Sequence, residues 1–150
     1  MDKPTHLIEF ETMLLGRHIH LRAPSRTGEG RLERSAYLLL TRIRLDGAMS
    51  IGQLSDAFGL DASTLNRQTS AMLRDGLVER IPDPDGGIAR KFRITAEGER
   101  RLDADRTRNT QGLEKVLADW TTEEVMEFAT ILKRFNTSIE QLDGRHWPHP

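Results

Sequence analysis

Residues 50–76 read SIGQLSDAFGLDASTLNRQTSAMLRDG, and the fold turns on this stretch. Ser50 is followed three residues later by Gln53, the spacing at which a hydroxyl and a carboxamide cap each other's backbone N–H groups at a helix start. A short helix from Ile51 to Phe58 then carries Ile51, Leu54 and Phe58 on its inner side and stops at Gly59. Glycine ends a helix there because it enters the left-handed region without a steric penalty. Asp61 is the next N-cap candidate, opening a helix from Ala62 to about Asp75 that Gly76 ends. Two short helices joined by the tight turn Phe58-Gly59-Leu60-Asp61 make a helix-turn-helix.

The second of these helices separates cleanly on a helical wheel. Leu65, Thr69, Met72 and Leu73 lie on one side, with Ser63, Arg67, Ser70 and Arg74 opposite and Thr64 and Asn66 on the flanks. The outer face carries short hydroxyls, an amide and arginines, and no carboxylate before Asp75. Solvated helix faces ordinarily mix acids with bases. This composition suits the major groove, where Arg pairs with guanine, Asn with adenine, and Ser or Thr reaches bases or phosphates. The N-terminal half of such a helix approaches the base edges, which ranks Ser63, Thr64, Asn66 and Arg67 ahead of Arg74, with Ser70 also among the candidate DNA contacts.

Working outward, Leu77–Ile81 and Arg90–Thr95 read as strands around the turn Pro82-Asp83-Pro84-Asp85-Gly86-Gly87, a hairpin that serves as a wing. Phe92 and Ile94 alternate with Lys91 and Arg93, giving one face to the core. Arg90 and Lys91 are the wing's candidate DNA contacts; the competing reading is a charged strand edge that discourages aggregation. Thr95 caps a long helix to about Trp120 whose middle, Asp103 to Gly112, is almost wholly polar, as in a helix spanning two packed regions. Thr121 and Glu124 form a second capping box, opening a helix with Val125, Phe128, Ala129, Leu132, Phe135, Ile139 and Leu142 on one stripe. The segment from Gly144 to Pro150 reads as loose.

Upstream, a helix from about Leu32 to Asp46 places Leu32, Ala36, Leu39, Leu40 and Ile43 inward and ends at Gly47. Residues 23–30 are rich in helix breakers and read as a loop. The first helix, about Thr5 to Arg22, has one stripe of Leu7, Phe10, Leu14 and Leu21 and a second of Ile8, Leu15 and Ile19, so it is apolar on more than one side. His18 and His20 are two apart and do not share a helix face, which argues against a metal pair and makes His18 a core or interface residue.

At 150 residues the chain has the length of one domain. Zero cysteines exclude disulfides, thiolate zinc sites and cysteine nucleophiles. No apolar run approaches the roughly 18 residues of a membrane span, and the N-terminus lacks a secretory pattern, so the expectation is a cytoplasmic protein with no membrane partner. A net charge of −1 argues against a non-specific polyanion binder but leaves room for a local basic surface. The carboxylates form no catalytic or metal constellation, and Gly86-Gly87 belongs to a hairpin rather than a phosphate cradle. No enzyme, cofactor or metal is expected.

The run Leu54-Ser55 through Gly59-Leu60-Asp61-Ala62-Ser63-Thr64-Leu65-Asn66-Arg67 resembles the helix-turn-helix of the multiple-antibiotic-resistance regulator (MarR) family. Asp75-Gly76-Leu77-Val78-Glu79-Arg80 is similar to that family's approach to the wing, and Phe92-Arg93-Ile94-Thr95-Ala96-Glu97-Gly98 to its exit. The helix order at both ends also matches. The resemblance implies a mainly α fold with a small β-hairpin wing, a single domain over 1–150, a winged helix-turn-helix lobe at 32–95 and a dimerisation lobe from 1–22 and 96–143. It further implies a homodimer on a palindromic operator in double-stranded DNA, usually a repressor relieved by a small, often aromatic effector. One departure stands out. Where the family's wing tip carries an Asp-Arg pair, this chain has Asp85-Gly86-Gly87-Ile88, which removes tip contact or displaces it to Arg90 and Lys91. Trp120, Phe128 and Phe135 are effector-pocket candidates, against the plainer reading of core residues at helical spacing. The alternative function is a winged-helix module that binds protein and not DNA.

Overall fold

The capping box at Ser50 forms as its spacing requires: the Gln53 N–H donates to Ser50 Oγ at 3.1 Å and the Ser50 N–H to Gln53 Oε1 at 2.9 Å. Around it a computed structural model describes residues 2–20 and 30–150, ordered α1 (Thr5–His20), α2 (Arg34–Asp46), α3 (Ile51–Phe58), α4 (Ala62–Arg74), β1 (Val78–Ile81), β2 (Lys91–Ile94), α5 (Ala96–Val116) and α6 (Thr122–Asp143). The described residues divide into two compact units, one reaching to Arg31 and one spanning Leu32–Pro150. The loop expected at residues 23–30 lies, except for Gly30, outside the described residues, as does the end of the first helix beyond His20. No helix among the described residues is long and apolar enough to cross a membrane.

In the first unit, α1 exposes Leu7, Ile8, Phe10, Met13 and Leu15. These residues lie on more than one side of the helix, as the two stripes predict. His18 is exposed within the chain rather than buried in a core.

The core of the second unit gathers side chains from α2 through α5: Leu39, Leu40 and Ile43 of α2, Leu54 of α3, Leu65 and Met72 of α4, Val78 and Phe92 of the hairpin, and Leu102 of α5. The hairpin is antiparallel with Val78 opposite Ile94 and Ile81 opposite Lys91. It is extended at its root by Met49, which exchanges both backbone hydrogen bonds with Phe92, at 2.8 and 3.1 Å. Thr95 fastens three elements together. Its Oγ1 donates to the Gly76 carbonyl at 2.6 Å and accepts from the Gly98 N–H at 3.0 Å, while its own N–H donates to the Leu77 carbonyl at 3.0 Å.

Several expectations are corrected. Asp61 stands at the N-cap of α4 with extended backbone, but its side chain makes no capping bond. The strands are shorter than expected, Val78–Ile81 and Lys91–Ile94, because the Leu77 N–H closes the end of α4 on the Met72 carbonyl and the Thr95 carbonyl opens α5 by accepting the Glu99 N–H. Helix α2 begins at Arg34, and the Leu32 N–H instead donates to Asp105 Oδ2 at 2.9 Å. Helix α5 stops at Val116, not Trp120, tightening through i−3 bonds at Ala118 and Trp120 so that Thr121 can take the extended conformation of an N-cap. Its polar middle is not a bare spacer, since Asp105 is 2% exposed and also receives Arg108 at 2.6 Å.

The segment after α6 is not loose. The Trp147 ring meets the Phe58 ring edge-on at 5.4 Å and 82°, and the Arg42 guanidinium lies 5.1 Å from its centroid. His149 Nε2 sits 3.0 Å from Glu140 Oε1.

Candidate nucleic-acid interface

Helix α4 presents the face expected of it. Leu65, Thr69 and Met72 are buried, and the buried hydroxyl of Thr69 is satisfied by donating to the Leu65 carbonyl at 2.7 Å. On the opposite side Ser63, Asn66, Arg67, Ser70 and Arg74 are exposed, with Thr64 half-buried at the flank. Neither Arg67 nor Arg74 has a carboxylate within ion-pair distance among the described residues, so both guanidiniums remain available to an outside anion. The apolar side of α4 fixes this display: it packs on α2, α3 and β1, so the helix cannot roll without exposing its Leu and Met side chains.

The turn that aims α4 depends on Gly59, which has φ +63° and ends α3 by donating its N–H to the Ser55 carbonyl. Ser55 in turn donates its hydroxyl to the Leu60 carbonyl at 2.6 Å. A side chain at position 59 would be strained, and its Cβ would fall 2.7 Å from Arg145 Cζ.

The wing divides the two basic residues assigned to it. Arg90 is exposed and has no ion-pair partner among the described residues. Lys91 does not match it: its Nζ is 3.5 Å from Asp83 Oδ1, and its side chain is 12% exposed. Asp83 holds the turn, accepting the Asp85 N–H in its carboxylate at 2.9 Å and the Gly86 N–H at its carbonyl at 3.0 Å. The Asp85 N–H above all holds the Asp83 carboxyl below the ordinary aspartate range; burial opposes it, and Lys91 adds a lesser lowering. Lys91 is thus engaged in wing structure, a role its place in the charged run could not reveal. On the strands, Arg93 pairs with Glu79 across the ladder. Arg80, on the exposed face of β1, is a cation the sequence reading left unassigned; its guanidinium lies 5.8 Å from the Phe92 ring centroid.

Away from α4, a cleft of about 740 Å³ opens among α2, α6 and the segment after it, with Arg34, Leu38, Ile139 and Trp147 in its walls. Trp120, Phe128 and Phe135 do not line this cleft. Trp120 and Phe128 meet edge-on at 5.7 Å, and all three residues are exposed in the single chain, so they are neither its core nor the lining of this cavity.

The family model for MarR matches residues 32–86, the stretch from α2 to the wing turn. Over 140 residues the chain is 38% identical to the uncharacterized HTH-type transcriptional regulator YxaD of Bacillus subtilis (strain 168), covering 92% of this chain and 96% of that one. The chain belongs to the MarR family. Its architecture agrees: a MarR family protein from Bacillus stearothermophilus superposes with a TM-score of 0.69 at 22% identity, over 93% of this chain and 99% of that one. A mutant MarR from E. coli, complexed with operator DNA, superposes with a TM-score of 0.54 at 21% identity, over 69% and 75% of the two chains. The MarR helix-turn-helix and wing are therefore the elements on which α4 and Arg90 sit.

Proposed function

We propose that this MarR-family transcriptional regulator acts in the cytoplasm as a homodimer that reads a two-fold operator with α4 and touches the flanking backbone or minor groove with Arg90. The observation that carries the reading is the outer face of α4, where Ser63, Asn66, Arg67, Ser70 and Arg74 are exposed with no carboxylate among them. Arg67 and Asn66 supply the side chains that pair with base edges, with Ser63, Thr64 and Ser70 beside them; Arg74, farther along the helix, suits phosphate. Lys91 acts indirectly, by holding the wing turn through Asp83.

Dimerisation is supported by α6, which buries none of its residues within the chain. Met126, Ile131 and Leu142 are 65%, 67% and 89% exposed, and apolar surface on that scale in a soluble chain calls for a partner. The residues 1–22 and 96–143 form the dimerisation lobe in this reading, and 32–95 the DNA-binding lobe. A regulator rather than an enzyme is meant, with repression relieved by a small effector; the cleft beside Trp147 is its candidate seat.

The test is fluorescence anisotropy with a duplex recovered from a random-sequence pool by the wild-type protein, set against a scrambled duplex across a salt series. Binding that weakens steeply with salt and prefers the selected duplex is the expected result. Absence of salt-dependent binding to either duplex would favour a protein-interaction module instead.

A further inference from the structure

Helix α6 buries no residue of its own in the chain, yet the segment that follows it returns to the helix-turn-helix. Three contacts converge there. The Trp147 ring is set edge-on against Phe58, the last residue of α3, at 5.4 Å. Its face receives the Arg42 guanidinium of α2 at 5.1 Å. The Arg145 guanidinium covers the Gly59 turn so closely that no Cβ would fit between them.

Arg42 shows that the ring is more than surface packing. Its side chain is nearly buried, its Nε is bonded to Asp46 Oδ2 at 2.6 Å, and its Nη1 is buried with no hydrogen-bond partner among the described residues. A buried cation short of one hydrogen bond needs another source of negative potential, and the face of an indole supplies it. Trp147 completes that site. His149, two residues on, is held by Glu140 of α6, so the returning segment is fastened at both ends: to α6 by His149, and to α2, α3 and the turn by Trp147 and Arg145.

We propose that Trp147 and Arg145 are positioning residues for DNA binding: they clasp the helix-turn-helix to the end of α6 and thereby set the distance between the two recognition helices of a dimer. This rests on the DNA-binding, dimeric reading above. Neither residue lies on the outer face of α4, so the clasp acts through the turn at Gly59 and not through contact with a base. A dimer that must meet two half-sites about one helical turn apart gains affinity only when both recognition helices are held at that spacing. Loss of the clasp therefore leaves each half-site contact intact and loosens the register between them.

The experiment uses the full-length protein and the pool-selected duplex, a series in which its half-site spacing is lengthened or shortened by one and two base pairs, and an isolated half-site. Trp147→Ala should weaken binding to the selected duplex by about tenfold, the order that one aromatic pair and one cation–π contact are worth. It should flatten the dependence on spacing and bind the isolated half-site as the wild type does. Trp147→Phe keeps a ring against Phe58 and Arg42 and should restore the spacing preference, and Arg145→Ala should resemble Trp147→Ala in milder form. Equal losses on half-site and full duplex, or an unchanged spacing profile in folded Trp147→Ala and Arg145→Ala proteins, would overturn the proposal. A second readout is independent of DNA. In a Trp120→Phe background Trp147 is the sole indole, and its emission should be blue-shifted and partly shielded from acrylamide. Emission and quenching like a free indole would refute the clasp itself, whereas failure of the wild type to bind any duplex would refute the DNA-binding reading and leave this readout to decide the clasp.

Discussion

Glycine-to-alanine changes at two helical positions should move stability in opposite directions, and the sign at each follows from what a Cβ would meet. Inside a helix, alanine is favoured over glycine by about 1 kcal/mol. At Gly52 of α3 the new Cβ meets only Ser50 Oγ, at an ordinary 3.9 Å, so Gly52→Ala should realise that gain. At Gly98, in the first turn of α5, the Cβ would fall 2.2 Å from the Leu77 carbonyl oxygen and 2.9 Å from Ile94 Cγ1. Helix and wing root must part by roughly 1 Å to reach an ordinary contact. The Leu77 carbonyl cannot yield freely, because it accepts the Thr95 N–H at 3.0 Å while the Thr95 side chain is bonded to Gly76 and Gly98. Overpacking of this kind costs about 1–3 kcal/mol, and a weakened hydrogen bond adds about 1 kcal/mol. Against the helix gain, Gly98→Ala is left destabilised by about 1–3 kcal/mol. At about 2–4 °C per kcal/mol for a chain of this size, its Tm should fall by roughly 2–12 °C, while that of Gly52→Ala should rise by about 2–4 °C. Thermal melts followed by circular dichroism at one fixed protein concentration measure both, the fixed concentration being needed because a dimer's Tm depends on it. A Gly98→Ala protein melting at or above the wild type would show that α5 does not approach the wing root as described.

Arg67→Ala should cost about 1–3 kcal/mol on the selected duplex and narrow the gap between it and scrambled DNA, read by anisotropy at fixed salt. Arg90→Ala should weaken both duplexes alike and lower the salt slope by about 1, whereas Lys91→Ala should leave the slope unchanged, because its ammonium faces Asp83; an equal slope change in both variants would contradict this division. Introducing charge into the exposed stripe of α6 with Phe128→Glu and Leu132→Glu together should convert a dimer to a monomer in sedimentation equilibrium, and a wild-type protein that sediments as a monomer would refute the dimeric reading. The Asp83 carboxyl is depressed chiefly by the Asp85 N–H and further by Lys91, so its contribution to the wing turn is complete above the ordinary aspartate range and lost as pH falls through its own lower value. An NMR titration should place the Asp83 midpoint below that of an unfolded aspartate, and Lys91→Met should move it upward.

What the sequence made legible is local. The capping boxes at Ser50 and Thr121, the stop at Gly59 and the inner face of α4 depend on residues within four positions of one another, and each takes the form its spacing predicts. What it concealed is contact at a distance. Asp105 read as one charge in a polar run, because nothing in that run reveals that the Leu32 N–H, 73 residues away, ends on its carboxylate. The ion pair of Lys91 with Asp83, eight positions earlier across a turn, was likewise not visible in its charged run. The strongest error concerned residues 144–150. Their prolines and glycine indicate a segment without helix, and that is correct; looseness does not follow, since Trp147 is seated by Arg42 and Phe58, neither of which is near it in the chain. A tryptophan in such a segment was the one available signal, because so large an apolar ring is seldom left in water.

The wing is built like a cantilever. Its root is bolted on three sides, by Met49 to Phe92, by Thr95 to Gly76 and Gly98, and by Phe92 in the core, whereas its free end beyond Asp83 is held only by one short turn. Stiffness in such a beam is set at the root and reach at the tip. Residues 84–89 can therefore change in length or composition with little effect on the load the root transmits to α4 and α5, while the same change at Met49, Thr95 or Gly98 alters the pitch of the whole arm. Variation in this protein's wing should be tolerated outward from Asp83 and resisted inward from it, and Arg90, one residue before the returning strand begins, stands where the arm is still stiff enough to aim a charge.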